Sequence, residues 1–152
     1  MNQEDIQKLT DRLRRLCSRR EYCVSDVRKK ALTALEGDSE AAEKVVAVLI
    51  AEKYVDDLRY ATAYAREKAM ISGWGETKIR YMLSGKRIDR SLVDQALTEI
   101  DTDKADSRLR KLLENKAKTL KADPQIRLKL LRFALGRGYQ YDDVVRVLQD
   151  IL

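Results

Sequence analysis

The sequence predicts an all-α protein made of three tandem three-helix repeat units in an elongated, curved array, and three observations carry that prediction. Breakers are scarce, with one Pro and six Gly in 152 residues, too few for the many turns of a β-sandwich. Apolar residues recur at i, i+3, i+4 nearly throughout, the spacing of amphipathic helices with one face turned inward. The chain also repeats itself: residues 79–100 fall on 130–151 without a gap, and 31–49 fall on 79–97. Any two amphipathic helices can be slid into partial agreement. A constant offset across helix, turn and helix is much harder to obtain by chance.

In chain order, a leading helix over about 4–20 carries Leu9, Leu13, Leu16 and Cys17 on one stripe. A second follows with Val24, Val27, Ala31, Ala34 and Leu35, breaks at Gly37-Asp38-Ser39, and gives way to a third marked by Val45, Val48 and Leu49. The next leading helix, about 56–72, runs to Gly73-Trp74-Gly75. Ile79, Met82 and Leu83 mark the helix after it, Gly85-Lys86-Arg87 the turn, and Val93, Ala96, Leu97 and Ile100 the closing helix. The last unit opens over about 102–121, and Asp123 then reads as an N-cap with Pro124 at the first helical position. Leu130, Phe133 and Ala134 precede the turn Gly136-Arg137-Gly138, and Val144, Val147, Leu148 and Ile151 form the final stripe. Tyr139-Gln140-Tyr141 is too short to be a strand. The units divide as 1–55, 56–100 and 101–152, with Gly37, Gly85 and Gly136 as equivalent turn markers. Three such helices barely enclose a core, so stacking units buries the remaining apolar faces and leaves a long concave surface. That shape suits wrapping a partner better than enclosing a small substrate.

The composition excludes much chemistry. There is no His, which removes Ser-His-Asp chemistry, His-assisted cysteine nucleophiles and imidazole metal ligands together. Cys17 and Cys23 lack the C-x-x-C spacing of a redox or zinc site and read as reduced thiols. No Gly-rich phosphate loop occurs. The paired acids Asp56-Asp57 and Asp142-Asp143 are of a kind that holds Mg²⁺ or works as acid and base. Each pair sits where a helix begins, however, where carboxylates satisfy free N–H groups, and the structural reading is preferred. No apolar run reaches the roughly 18–20 residues that span a bilayer, and Met1-Asn2-Gln3-Glu4-Asp5 is too polar for a signal peptide. The expectation is a cytoplasmic monomer, not an enzyme, with no cofactor, no metal and no membrane partner.

Charge is more informative. Lys and Arg number 31 against 25 Asp and Glu, a net +6 with a pI near 9.3, which permits a nucleic-acid or acidic protein partner and proves neither. Residues 104–137 hold eleven basic side chains against three acids, and a second basic cluster spans 8–30. Lys30, Lys78 and Lys129 occupy one equivalent position, each just before an inward-facing Ala31, Ile79 or Leu130. In a regular array they form a spaced row of positive charge suited to phosphates, or to acidic residues on a repeating partner. A solvating lysine face is the competing reading. Tyr60, Tyr64, Tyr81 and Trp74 are of the kind that stacks on bases, but Tyr60 and Tyr64 at i, i+4 read first as packing.

The stretch Tyr54-Val55-Asp56-Asp57-Leu58-Arg59-Tyr60-Ala61 resembles the hallmark segment of the RecX family of bacterial recombination regulators. Trp74-Gly75, Ile79, Leu83, Ile88 and Val93-Asp94-Gln95-Ala96-Leu97 follow it as they do in that family, and Arg20 to Lys30 is similar to the family's first-unit helix. The likeness runs over about 10–152 and is weakest in the last unit. Where the family's turn reads K-G-I, this chain has Lys86-Arg87-Ile88, a change that bears on local backbone geometry.

The resemblance implies three tandem three-helix units and a non-enzymatic role: binding the RecA filament, inhibiting its ATPase and strand exchange, and in some members touching single- or double-stranded DNA. Candidate contacts with RecA or DNA are Arg28, Lys30, Lys78, Arg80, Lys86, Arg87, Arg127, Lys129, Arg132 and Arg137. Tyr54, Asp56, Asp57, Arg59, Tyr60, Ala61, Trp74, Gly75, Ile79 and Leu83 are family-motif positions of mostly structural role. The alternatives are a general DNA-binding accessory protein that grips the phosphate backbone and, last, an Mg²⁺-dependent enzyme using Asp56 and Asp57.

Overall fold

Each apolar stripe becomes a helix in the computed structural model, which describes residues 2–152. In order these are α1 (Gln3–Arg19), α2 (Val24–Ala34), α3 (Ser39–Ala51), α4 (Asp57–Met70), α5 (Glu76–Gly85), α6 (Arg90–Leu97), α7 (Thr102–Lys118), α8 (Ile126–Gly136) and α9 (Tyr141–Ile151). Among the described residues there is no strand.

Short polar side chains set most of the starts. Asn2 accepts from the Asp5 N–H at 2.8 Å while the Asp5 carboxylate accepts from the Asn2 N–H, a capping box for α1. Asp38, Asp56, Asp89 and Asp101 accept first-turn N–H groups of α3, α4, α6 and α7. Each such cap contributes about 1 kcal/mol. At α2 the Asp26 carboxylate accepts the Cys23 N–H at 3.3 Å, while α5 and α8 have no side-chain cap.

The buried residues fall into three clusters. α1, α2 and α3 enclose Leu13, Val27, Ala31, Val45, Val46 and Leu49; α4, α5 and α6 enclose Ala61, Ala65, Ile79, Leu83, Val93 and Ala96; α7, α8 and α9 enclose Leu109, Leu113, Leu130, Ala134, Val144 and Leu148. Helices pack on helices within each trio. The accessible surface is 9725 Å², about a fifth more than the roughly 7,900 Å² of a compact monomer of this mass. The fold is an all-α helical repeat.

Two local expectations change. Gly85 and Gly136 are the last residues of α5 and α8, with ordinary helical backbone and open space where a Cβ would stand. In these two units the left-handed residue lies two positions on, Arg87 at φ 59° and Gly138 at 96°, whereas in the first unit Gly37 is itself left-handed at 86°, just after Glu36 at 54°. Pro124 does not open α8. Asp123 accepts the Gln125 N–H at 2.8 Å, closing a turn, and the helix begins at Ile126.

Candidate functional site

The hallmark segment lies at a joint between the first two trios. The Asp56 side chain caps its own helix, accepting the Arg59 N–H at 3.0 Å. Asp57 reaches away and accepts the N–H of Val24 at 2.8 Å, so it caps α2 of the preceding trio. Arg59 grips both carboxylate oxygens of Glu21 at 2.9 Å and donates to the Lys53 and Tyr54 carbonyls. Ser25 donates to the Lys86 carbonyl at 2.6 Å, and the Lys86 ammonium meets Asp26 at 2.9 Å. Cys23, at the start of α2, is buried in the core of the second trio.

Electrostatics at this joint run both ways. Burial pushes the Asp57 carboxyl up, the neighbouring Asp56 adds to it, and the Val24 N–H only partly opposes. Burial acts the same way on Asp26, but the Lys86 ammonium and hydrogen bonds from Cys23 outweigh it and hold that carboxyl below its ordinary value. Burial raises the Cys23 thiol, keeping it protonated and unreactive.

The second joint is made of backbone. The Gly75 N–H donates to the Arg137 carbonyl at 2.8 Å, and the Thr77 N–H donates to the Gly138 carbonyl at 3.0 Å. The free N–H groups that open α5 are thus capped by a turn of the next trio. Only glycine fits on either side. A Cβ on Gly75 would lie 2.5 Å from the Gly138 carbonyl carbon, and one on Gly138 would lie 2.3 Å from the Lys78 Cβ. The Tyr139 hydroxyl donates to the Gly73 carbonyl at 3.1 Å, and Arg137 reaches the Ser72 carbonyl. Both joints obey one rule: the start of a middle helix docks on the turn after the next middle helix, and the equivalent carbonyls of Lys86 and Arg137 both accept.

The other motif positions pack. Ala61, Ile79 and Leu83 are fully buried. Tyr54 lies against the first core, and Tyr60 is buried and stacked on Tyr64 at 5.9 Å. Trp74 meets Tyr64 edge-on at 6.4 Å.

The candidate cations divide. Arg28 pairs with Glu43, Arg80 with Asp94 at 2.6 Å and with Glu76, Lys86 with Asp26, and Lys129 with Asp123. Lys30 lies over the Tyr22 ring at 5.3 Å, Lys78 over Trp74 at 4.3 Å and Arg137 over Phe133 at 5.1 Å. Lys30, Lys78 and Lys129 do precede buried Ala31, Ile79 and Leu130, but each ammonium folds back on the segment before its helix. Arg87, Arg127 and Arg132 are exposed and have no carboxylate partner among the described residues.

One turn beyond the lysines, the middle helices present a further face. Tyr81 on α5 is 76% exposed, while Leu128 and Leu135 flank Arg132 on the outside of α8, with 41% and 40% exposed. At i, i+4, i+7 these three share one side of α8. Leu128 and Leu135 are missing from the sequence-derived candidates. Their signal is the reverse of the usual one, apolar residues half a turn from the buried Leu130 and Ala134.

Among the described residues no group of three or more Cys, Asp or Glu side chains is placed to hold a metal ion, and no helix is long and apolar enough to cross a membrane. Fold and site together define a helical-repeat protein whose trios are joined by backbone and carboxylate contacts. Residues 56–97 match the family model for the second three-helix domain of RecX, and 104–148 match the third. The regulatory protein RecX of Vibrio parahaemolyticus is 36% identical over 132 residues, spanning 85% of this chain and 82% of that one. That of Cronobacter sakazakii is 30% identical over 148 residues, 90% of this chain and 88% of the relative. The Clostridium tetani protein is 32% identical over 119 residues, a match that takes in 54% of its length. The crystal structure of RecX from Lactobacillus salivarius shares the fold, with a TM-score of 0.86 over 97% of both chains at 23% identity. This chain belongs to the RecX family.

Proposed function

We propose that the protein binds the RecA recombinase filament and inhibits its ATP hydrolysis and strand exchange, acting in the cytoplasm as a three-unit array divided at 1–55, 56–100 and 101–152. The observation that supports it is exposed apolar side chains on the middle helices: Tyr81 on α5, and Leu128 and Leu135 on α8, where they share one face with the exposed Arg132. Apolar side chains framing a cation fit a protein surface, since aromatic and arginine anchors dominate such interfaces. They have no use against a bare phosphate backbone. A filament repeats one site at each subunit step, so an array with several contacts gains avidity from individually weak ones. On this reading the motif residues Tyr54 to Ala61, with Trp74 and Gly75, set the spacing between units, and the contacts fall to the free cations Arg87, Arg127 and Arg132.

The test is co-sedimentation with RecA filaments on single-stranded DNA, with and without nucleotide, alongside DNA-stimulated ATP hydrolysis. Sub-stoichiometric protein suppresses hydrolysis, and the double substitution Leu128→Asp, Leu135→Asp weakens filament binding by about tenfold or more. Hydrolysis unchanged at saturating protein refutes the inhibition. Tight DNA binding without RecA, untouched by that double substitution, supports the accessory DNA-binding alternative.

A further inference from the structure

A cavity of about 330 Å³ opens between the second and third trios, at the small end of the roughly 300–1,000 Å³ range of ligand pockets. Trp74, Leu97 at the end of α6 and Ile100 just beyond it wall one side, while Ala105 and Arg108 of α7 and Tyr139 wall the other. Its floor is the glycine joint, so its shape depends on a backbone contact that leaves no room for adjustment.

Its charges are unequally spent. Glu76 is held by Arg80 at 3.2 Å, while Asp106 and Asp143 are both held by Arg146, at 3.4 and 3.1 Å. Arg108 has no ion-pair partner among the described residues, and its Nε is buried with no hydrogen-bond acceptor. A buried, unpaired guanidinium N–H costs free energy unless something accepts from it. A helix start also borders the cavity: Gln140, the N-cap of α9, lines it and makes no side-chain cap.

We infer that this cleft is a binding site for one acidic side chain of a protein partner, a carboxylate flanked by apolar residues, with Arg108 taking the carboxylate and Trp74, Leu97 and Ile100 taking the neighbours. A guanidinium is shaped for a carboxylate, which it binds through two parallel N–H donors. The apolar wall of Trp74, Leu97 and Ile100 suits the neighbouring side chains of a peptide rather than a second phosphate. The site deepens the filament-binding reading, on which it rests for the identity of its partner.

Trp74 is the only tryptophan, so its fluorescence reports the cleft directly in the intact chain. The titrants are acetyl-Leu-Glu-Leu-amide, its Gln counterpart and an oligo-dT strand. The Glu peptide gives a saturable change in Trp74 emission, and the Gln peptide binds at least about fivefold more weakly. Arg108→Gln weakens the Glu peptide about tenfold or more, whereas Arg110→Gln, whose partner is Asp150, leaves it unchanged. Equal response to the two peptides on the unsubstituted protein overturns the inference without any variant having to fold. So does no response to either, or displacement of the Glu peptide by oligo-dT. RecA is absent from this titration, so a failed cleft and a failed filament reading are told apart.

Discussion

Arg87 shows how one residue can serve backbone and surface at once. It holds the left-handed position at the end of α5 that Gly138 holds at the end of α8, and a side chain there costs about 1–2 kcal/mol. Arg87→Gly removes that strain but adds back the unfolded-state freedom of glycine, about 0.5–1 kcal/mol. The net expectation is a rise in melting temperature of about 2 °C, read by thermal circular dichroism. If Arg87 also contacts a partner, the same variant binds the filament less well while melting higher, which separates its two roles. The Asp26 carboxylate makes a different statement about pH. Held below its ordinary 3.8 in the folded chain, it takes up its proton later than in the unfolded chain as pH falls. The unfolded state therefore binds more protons in that window, and the stability the group contributes is intact at neutral pH and is lost as pH drops below about 4. Asp26→Asn should melt lower than the unsubstituted protein at pH 7, and the gap should narrow toward pH 3. An equal gap at both values would show that the Lys86 pair is not its source.

At the scale of elements, the joints carry the fold. Gly138→Ala places a methyl within 2.3 Å of the Lys78 Cβ and puts a side chain at φ 96°, so two penalties act together and the expected loss exceeds about 2 kcal/mol. Because each trio has its own core, the loss should uncouple the third trio and split one denaturation transition into two. A single transition merely shifted in midpoint would mean the trios are not separable. Asp57 gives the milder counterpart. Asp57→Asn keeps an oxygen for the Val24 N–H and drops a carboxylate whose burial is unfavourable, so stability changes by less than about 0.5 kcal/mol. Asp57→Ala leaves the N–H unmatched and costs about 1–2 kcal/mol. These joints explain what the sequence shows and hides. Helix periodicity is local, so the stripes through Leu13, Ile79 and Leu130 are legible by inspection, and the repeat follows from sliding them. A cap supplied to Val24 by Asp57, or to Thr77 by the Gly138 carbonyl, links residues 33 and 61 positions apart, and no local pattern announces it. Gly85 and Gly136 mark the repeat by position, while the left-handed residue of the turn sits two residues on, because a helix can end on any residue if one just beyond its cap turns left-handed.

For the whole molecule, the salt dependence of binding separates a protein partner from a nucleic-acid one. Of the ten candidate cations, Arg28, Arg80, Lys86 and Lys129 are held by carboxylates of the same chain, and Lys30, Lys78 and Arg137 by aromatic rings. Arg87, Arg127 and Arg132 alone among these candidates remain free of both. Binding to phosphates releases counterions, and the logarithm of affinity falls with the logarithm of salt by about 0.7 per contact on single strands. Phosphate contact through these three candidates alone predicts a slope near 2 for free single-stranded DNA. Filament binding through Tyr81, Leu128 and Leu135 buries apolar surface, which salt does not screen, and should keep a slope of 2 or less while remaining tight. Fluorescence-anisotropy titrations at several salt concentrations, with bare DNA and with preformed filament, measure both slopes. Should bare DNA bind as tightly as filament with a slope of 5 or more, cations beyond these three contact it, and the basic faces rather than the apolar one would be the working surface. Arg132→Glu then decides between them. It weakens both complexes, but by about one unit of slope on DNA and, on the filament, through a loss of affinity that persists at high salt.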